Sequence, residues 1–492
     1  MNRMREENMV NITSLLLGLV MVLNIVFAVV VIFRERRDAS STWAWLLVLF
    51  FIPVAGFILY LLLGRNLTHK HLFQWDDLKK SGIEEVLEKQ KEQLRTQNFH
   101  FNNRVTEDNQ DLIYLNLVND QALFTKNNAV EVFTDGQEKY RRLFQDIEAA
   151  QESIHLQYYI IKNDNLGRRL IAHLTKKVKE GVTVRVLYDE LGSRALTKRF
   201  FKEFREAGGL VEVFFPSKLR FINLRMNFRN HRKLVIIDGK VGYVGGFNVG
   251  DEYLGLNSRF GYWRDTHLRI RGTAVDTMQV RFILDWNQAS RDFDIMYDPE
   301  LFPIENVRLG NVGIQIVTSG PDSEFERIKN AYIKMIYSAK KSIYMQTPYF
   351  IPDKSLLDAL RVACLSGVDV NIMIPDKPDH PFVYWATLSH IGELLPVGAN
   401  VYIYSNGFIH SKTLVVDEEM STVGTANIDV RSFRLNFEVN AFLYDENISK
   451  ELADIFKDDI KLSKLLTYEE YDKRGVNIKF KESISRLLSP IL

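Results

Sequence analysis

Two short stretches carry residues suited to chemistry on an anion. The first is Asn230-His231-Arg232-Lys233-Leu234-Val235-Ile236-Ile237-Asp238-Gly239, followed by Gly245-Gly246-Phe247-Asn248. The second is His410-Ser411-Lys412-Thr413-Leu414-Val415-Val416-Asp417, followed by Gly424-Thr425-Ala426-Asn427. Both read His-x-Lys, four residues, then Asp, and in both an Asn follows the His by 17 residues. Two matches in one register, 179 residues apart, point to one site built from two halves of a duplication. An imidazole beside an ammonium suits an anionic substrate: the ammonium holds the anion's oxygens, and the imidazole is a nucleophile or proton donor near neutral pH. Two such pairs supply what phosphodiester chemistry without a metal needs, namely charge stabilisation, a nucleophile and a separate acid. No metal is expected, because no His-x3-His or Cys-His cluster accompanies the motif and Lys is a poor ligand at neutral pH.

The elements that must position these residues are strands. An apolar, β-branched run follows each His, and Asp238-Gly239 between two such runs is a hairpin signal. Side chains alternate along a strand, so His231 and Lys233 share a face, as do His410 and Lys412. The duplication extends beyond the motifs: Ser153-Ile154-His155-Leu156-Gln157-Tyr158-Tyr159 resembles Ser342-Ile343-Tyr344-Met345-Gln346-Thr347-Pro348-Tyr349, and Gly181-Val182-Thr183-Val184 matches Gly367-Val368-Asp369-Val370. Each half thus reads helix, buried strand, helix, buried strand, then further alternation into the motif hairpin. His155 is expected to be structural, since Tyr344 takes its place in the second half. The expected layout is a first half over 128–303 and a second over 304–492, preceded by a polar, helical connector over 66–127 packed on the first half.

The amino-terminal stretch sets a different class of partner. Ile12–Phe33 and Trp43–Leu63 are apolar runs of 22 and 21 residues without a charge. Each is about 30 Å long as a helix, the thickness of a hydrocarbon core. Arg34-Glu35-Arg36-Arg37-Asp38 separates them, with Trp43 and Trp45 where an aromatic belt belongs. Residues 1–65 are therefore expected to form a two-helix transmembrane hairpin, with both ends on one side. Arg3, Arg5, Arg65, Lys70, Lys79 and Lys80 flank it and outnumber the loop arginines, which favours a cytoplasmic catalytic body. The net charge of +1 gives no nucleic-acid signal, and the body lacks a long basic stripe. Cys364 is the single cysteine, so no internal disulfide forms, and its helical context argues against a catalytic thiol. Two further stretches, 218–229 and 480–492, mix cations with large apolar side chains and are candidates to dip into a lipid headgroup layer.

Both motifs resemble the HKD motif of the phospholipase D superfamily. The two-span anchor ahead of a duplicated body, with Arg229-Asn230-His231-Arg232-Lys233, Gln346-Thr347-Pro348-Tyr349-Phe350 and Asn427-Ile428-Asp429-Val430-Arg431-Ser432-Phe433 running into Leu435-Asn436-Phe437-Glu438, resembles the bacterial cardiolipin synthases. The one departure is Gly424-Thr425, where many members of the superfamily have Gly-Ser. The resemblance implies an α/β fold of two pseudo-symmetric α/β/α halves with mixed sheets, whose two His meet at their interface. One His attacks phosphorus to give a phosphohistidine and the other protonates the leaving oxygen. The implied catalytic set is His231, Lys233, Asp238, His410, Lys412 and Asp417, although Asp238 and Asp417, at strand ends, suit local organisation of the fold better than contact with substrate. Asn248 and Asn427 are candidates to donate to phosphate oxygens. A catalytic His needs a partner for its other ring nitrogen; in the superfamily an acid after the motif serves, which makes Asp265 and Glu438 the candidates here.

The implied reaction is transfer between two phosphatidylglycerols, giving cardiolipin and glycerol, with no cofactor, at a bacterial cell membrane rich in anionic lipid. The same residues with water as acceptor would make a membrane-anchored phospholipase D-type hydrolase. A nuclease gains nothing from two spans, and a non-catalytic scaffold has no use for intact His, Lys and Asp in both halves.

Overall fold

In the computed structural model, residues 82–492 are described apart from 102, 218–226, 305–308, 378, 488 and 490–492; before them, 14–29, 39–60 and 72–73 are described with gaps at 17, 27, 53, 54 and 57. The chain divides into two units, residues 1–68 with 217–228, and residues 69–216 with 229–492.

In the first unit, Ala39–Phe51 is a helix, and Trp45, Leu49 and Tyr60 pack together, with the Trp45 and Tyr60 rings edge to face at 5.3 Å. Among the described residues no helix is long and apolar enough to cross a membrane. The expected spans at 12–33 and 43–63 fall partly outside the described residues, as do 1–13, the loop 34–38, most of 218–229 and residues 490–492.

The second unit holds two sheets of the same order. The first is built from β1 (Thr125–Asp135), β2 (Ser153–Tyr158), β3 (Thr183–Asp189), β4 (Leu210–Phe214), β6 (Leu234–Ile237), β7 (Val241–Gly245) and β8 (Trp263–Arg271), with the two-residue β5 (Arg229–Asn230) standing apart. Its order is β4-β3-β2-β6-β7-β8-β1, with β2, β3 and β4 parallel and the rest antiparallel. The second sheet comprises β9 (Val312–Ser319), β10 (Ser342–Gln346), β12 (Asp369–Pro375), β13 (Asn400–Tyr404), β15 (Thr413–Val416), β16 (Met420–Gly424) and β18 (Asn436–Tyr444). Its order, β13-β12-β10-β15-β16-β18-β9, repeats the first, including which pairs are parallel, and a further strand, β19 (Ser463–Leu466), extends it by pairing antiparallel with β13. The two-residue β11 (Phe350–Ile351), β14 (Phe408–Ile409) and β17 (Ile428–Asp429) lie outside this order. The mixed sheets follow from the sequence: central runs such as Ile154–Leu156 and Val370–Ile374 are buried on both faces, as parallel strands must be, with a single polar side chain in each, His155 and Asn371.

Helices cover these sheets: α1 (Ile83–Arg95), α2 (Gly136–Ala149), α3 (Asn165–Lys179), α4 (Ala274–Ala289), α5 (Arg327–Ser338), α6 (Lys354–Leu365), α7 (Pro381–Ile391), α8 (Glu446–Ile460) and α9 (Val476–Leu487). Each half has its own core, Leu143, Ile154, Leu170 and Val186 in the first and Ile328, Ile343, Leu360 and Ile372 in the second. The connector departs from expectation. Leu87, Leu94, Val105, Leu112, Ile113 and Leu117 join the core of the second half, not the first. The reason is local: the connector helix Gln110–Asp120 packs on α5 and β9, which leave an apolar face for it.

Candidate active site

The two motif histidines are fixed by strands of the opposite half. β5 pairs in parallel with the start of β18, Asn230 opposite Phe437, and the next residue, His231, donates its backbone N–H to Phe437 O at 2.9 Å. β14 pairs in parallel with the start of β8, Ile409 opposite Arg264, and His410 N–H donates to Arg264 O at 2.7 Å. A strand's side chains alternate, so the residue one step beyond Phe437 or Arg264 turns toward the neighbouring imidazole. Those residues are Glu438 and Asp265. His231 Nδ1 lies 3.1 Å from Glu438 Oε1, and His410 Nδ1 lies 2.7 Å from Asp265 Oδ2. Each acid therefore serves the histidine of the other half, a crossing that residue order does not reveal. Two residues before each acid a side chain steadies it: Asn436 Nδ2 donates to Glu438 Oε1 at 3.1 Å, and Trp263 Nε1 to Asp265 Oδ2 at 3.4 Å.

The lysines and acids form one electrostatic group. Lys233 Nζ donates to His231 O at 2.6 Å, and Lys412 Nζ lies 2.9 Å from His410 Nδ1. Burial pulls both ammonium groups down, Lys233 to about 8 and Lys412 to about 7, against the attraction of Asp265 and Glu438; Lys412 is lowered further by Lys233. Burial and then Lys412 pull His410 down to about 4, despite Asp265. Burial alone would raise Asp265 and Glu438. Their cationic neighbours outweigh it, His410 and Lys412 for Asp265 and His231 and Lys233 for Glu438, so both carboxyls stay below the usual range. An ionised acid takes its hydrogen bond from Nδ1–H, which leaves Nε2 of each ring as the atom that meets a substrate. The Tyr159 ring packs on His231 with centroids 4.1 Å apart, and Trp263 flanks His410 at 5.2 Å.

Four motif residues do not join this group. Asp238 and Asp417 stand at the far ends of β6 and β15, about 20 Å along the chain from their histidines at ~3.3 Å per residue. The Asp238 carboxylate accepts the backbone N–H groups of Gln151, Glu152 and Ser153, and Asp417 those of Lys340, Lys341 and Ser342. Both sit at positive φ in the hairpin turn, 51° and 55°. These bonds tie the motif hairpin to the start of β2 or β10, the local role that their strand-end places suit. Asn248 and Asn427, expected to donate to phosphate, are both 3 % exposed. Asn248 Oδ1 accepts from Ile160 N and its amide reaches Tyr253 Oη at 3.4 Å, while Asn427 Nδ2 donates to Asp429 Oδ2 at 3.1 Å. These amides brace the loops behind the histidines. His155 is structural, stacked on Phe282 at 4.6 Å and bonded to Gln279 and Arg185.

Sequence reasoning missed the layer beneath. Asp285 on α4 takes both oxygens to Arg232 Nη1, at 2.7 and 2.9 Å, and accepts Gln157 at 2.7 Å; Arg232 also donates to Glu438 O and Ser319 O. In the second half Asp459 on α8 accepts Gln346 at 2.8 Å and pairs with Arg264 at 2.9 Å. The repeated glutamines were the available signal, each at the same place in the duplicated strand.

The hydroxyl of Gly424-Thr425, which a Ser would also supply, has a partner. Thr425 Oγ1 donates to Glu438 Oε2 at 2.6 Å. Its counterpart is Gly246, where a Cβ would fall 1.8 Å from Asp265 Oδ1. The shorter acid sits closer to its strand and needs the space that the longer one fills with a hydroxyl contact. Gly246→Ala is expected to push Asp265 off His410 and lower kcat about 100-fold, while Thr425→Ser retains most activity. Steady-state kinetics beside thermal melts of both variants check this; a Gly246→Ala enzyme of normal kcat would refute it.

The sequence model for the family described as "Cardiolipin synthase, PLD-like domain" matches residues 143–267 and 332–460, and that described as "Phospholipase_D-nuclease N-terminal" matches 22–65. The chain is 68 % identical over 482 residues to the major cardiolipin synthase ClsA of Bacillus subtilis, covering 98 % of this chain and 100 % of that protein. It is 57 % identical to a cardiolipin synthase of Oceanobacillus iheyensis, covering 98 % of this chain and 100 % of that protein. Among solved structures, the phosphatidylserine synthase of Haemophilus influenzae shares the fold with a TM-score of 0.60 at 16 % identity, over 79 % of this chain and 100 % of that one.

Proposed function

This chain belongs to the cardiolipin synthases of the phospholipase D superfamily, and from that membership we propose that it transfers a phosphatidyl group between two phosphatidylglycerols, releasing glycerol. The observation that carries the reading is the crossed pairing of His231 with Glu438 and His410 with Asp265 beside two lysines. One phosphodiester replaces another, so little net energy is needed and no nucleotide takes part.

His231 Nε2 attacks phosphorus of the first lipid, the bond from phosphorus to the glycerol oxygen breaks, and His410 delivers a proton to that oxygen. His410 then takes the proton of a terminal glycerol hydroxyl on the second lipid, whose oxygen attacks the phosphohistidine and frees His231. Lys233 and Lys412 hold the non-bridging oxygens, whose charge grows in the transition state. Glu438 and Asp265 fix the tautomer and orientation of the two rings. At rest His410 is neutral, held there by burial and Lys412; the phosphodiester anion counters the Lys412 charge and restores its proton affinity. The substrate thus arms its own acid, and binding takes up a proton.

We place residues 1–65 as a membrane anchor of two spans near 12–33 and 43–63, with the body of 128–303 and 304–492 in the cytoplasm. The match to an N-terminal family segment over 22–65 and the uncharged runs support this reading.

Labelled phosphatidylglycerol in mixed micelles tests the reaction. Cardiolipin with free glycerol is the expected product pair; phosphatidic acid without cardiolipin would replace the transferase with a hydrolase. A second expectation concerns pH. The lysines must be cationic to hold the phosphate, and their lowered values of about 7 and 8 put that loss just above neutrality. Because kcat/KM reports the free enzyme, it is expected to fall as pH rises from 7 to 9. A kcat/KM flat across that range would remove the lysines from substrate binding.

A further inference from the structure

Helix α9 (Val476–Leu487) carries an apolar stripe that nothing in the described structure covers. Val476 is 82 % exposed, Phe480 66 %, Ile484 40 % and Leu487 76 %. At about 100° per residue these four fall within an arc of ~80°. Glu482 and Ser485 lie on the opposite side and are buried, Glu482 paired with Arg474. So the helix packs by its polar face and turns its apolar face outward, the reverse of a core helix. Cations border the stripe on both sides, Lys479 and Arg486 on one and Lys481 on the other, all exposed. Lys479 pairs with Asp472 and Arg486 with Glu393 at the margin of the body, and Lys481 lies over the Trp385 ring of α7 at 5.4 Å. α7 packs on both α9 and β11, and the Tyr349 hydroxyl just before β11 bonds to Asp379 near the start of α7. Phe382, the second residue of α7, is 56 % exposed as well.

We propose that α9 lies flat in the headgroup layer of an anionic bilayer, its stripe of Val476, Phe480, Ile484 and Leu487 turned into the acyl boundary and its flanking lysines and arginine on the lipid phosphates. The proposal rests on the lipid-substrate reading above and goes beyond it by naming the surface of the catalytic body that meets the membrane. An exposed apolar stripe with basic margins is the pattern of an interfacial helix, whose long cationic side chains reach up to the headgroups from the sides. A second copy of the chain is the poorer occupant, because a symmetric pairing would set the same cations against each other. Docking here seats the body on the surface that supplies both lipids, so the site meets substrate without extracting it into water.

The test uses the full chain in vesicles of phosphatidylglycerol and phosphatidylcholine. Ser483, exposed and beside the stripe, is replaced in a Cys364→Ser background (Ser483→Cys) and labelled with an environment-sensitive fluorophore. Expected are a several-fold rise in emission, quenching by lipids bearing a quencher high on the acyl chain, and protection from iodide. A probe that iodide reaches and the lipid quencher does not, or one quenched by labelled neighbouring copies, overturns the proposal. As a second measurement, Phe480→Glu with Leu487→Glu is expected to lower turnover on vesicles about 10-fold. Turnover on a short-chain, monomeric phosphatidylglycerol should stay unchanged. Equal loss on both substrates, or none on either, counts against the helix as a docking surface. A wild-type enzyme that makes no cardiolipin from either substrate would instead defeat the transfer reading, whatever the probe reports.

Discussion

Alanine at His231 is expected to abolish phosphatidyl transfer, leaving less than about one part in 10⁴ of kcat, with the fold intact. The fold survives because the contact that anchors this position is backbone, His231 N–H to Phe437 O, and because the ring is partly exposed, not packed in a core. The chemistry does not survive because no substitute nucleophile is at hand. Cys364, the single thiol, sits on α6 in the packing of the second half, and burial raises it to about 11. Lys233 is tied to the His231 carbonyl. His410→Ala should fail at a different step. Its loss removes the acid, so an ester with a good leaving group, which needs no proton, should still release that group in a burst as His231 becomes phosphorylated. The next step needs a base to free the lipid hydroxyl and should stall, leaving phosphohistidine to be trapped at acid quench and found by mass spectrometry on His231. A burst from His231→Ala with none from His410→Ala would exchange the two roles.

The residues proposed to do the chemistry were the most legible part of this chain, and the residues that aim them the least. His-x-Lys is visible because a strand's period of two puts both side chains on one face whatever the rest of the fold does. The duplication is visible because the same buried strands must be built twice, down to Gln157 and Gln346. What each histidine faces is not visible, because that depends on β5 against β18 and β14 against β8, pairs of two residues each that join opposite halves. Strands so short have no periodicity to read. Asp285 and Asp459 were hidden for another reason: each is one acid among others in an ordinary helix, and only the buried arginine opposite gives it meaning. Asp238 and Asp417 show the converse. A motif can retain a residue for the turn that holds it, and proximity in sequence then overstates its share in the reaction. The connector went to the second half because amphipathic spacing says that a helix is covered without saying by which sheet.

The crossed acids give the second large effect. Glu438→Gln and Asp265→Asn are each expected to lower kcat by 10³ to 10⁴-fold while KM changes little. An amide of nearly the same shape can donate to Nδ1 and so favours the tautomer that carries its proton on Nε2. That ring cannot attack phosphorus from Nε2. It also loses the negative charge that stabilises imidazolium. Both acids are fully buried and ionised against their cations, so the charge acts through a low-dielectric path and its removal is felt in full. Because each acid works through one histidine of the other half, the effects should be strongly non-additive in crossed pairs. Asp265→Asn added to His410→Ala should cost almost nothing further, whereas Asp265→Asn added to Glu438→Gln should compound. Nitrogen-15 chemical shifts of the two imidazoles separate aim from mere stability, since they report the tautomer directly. Glu438→Gln should move the His231 resonances and leave those of His410 in place, and Asp265→Asn the reverse. If each substitution disturbed the histidine of its own half instead, the crossed arrangement would fall, and with it the argument that neither half can hold a working site alone.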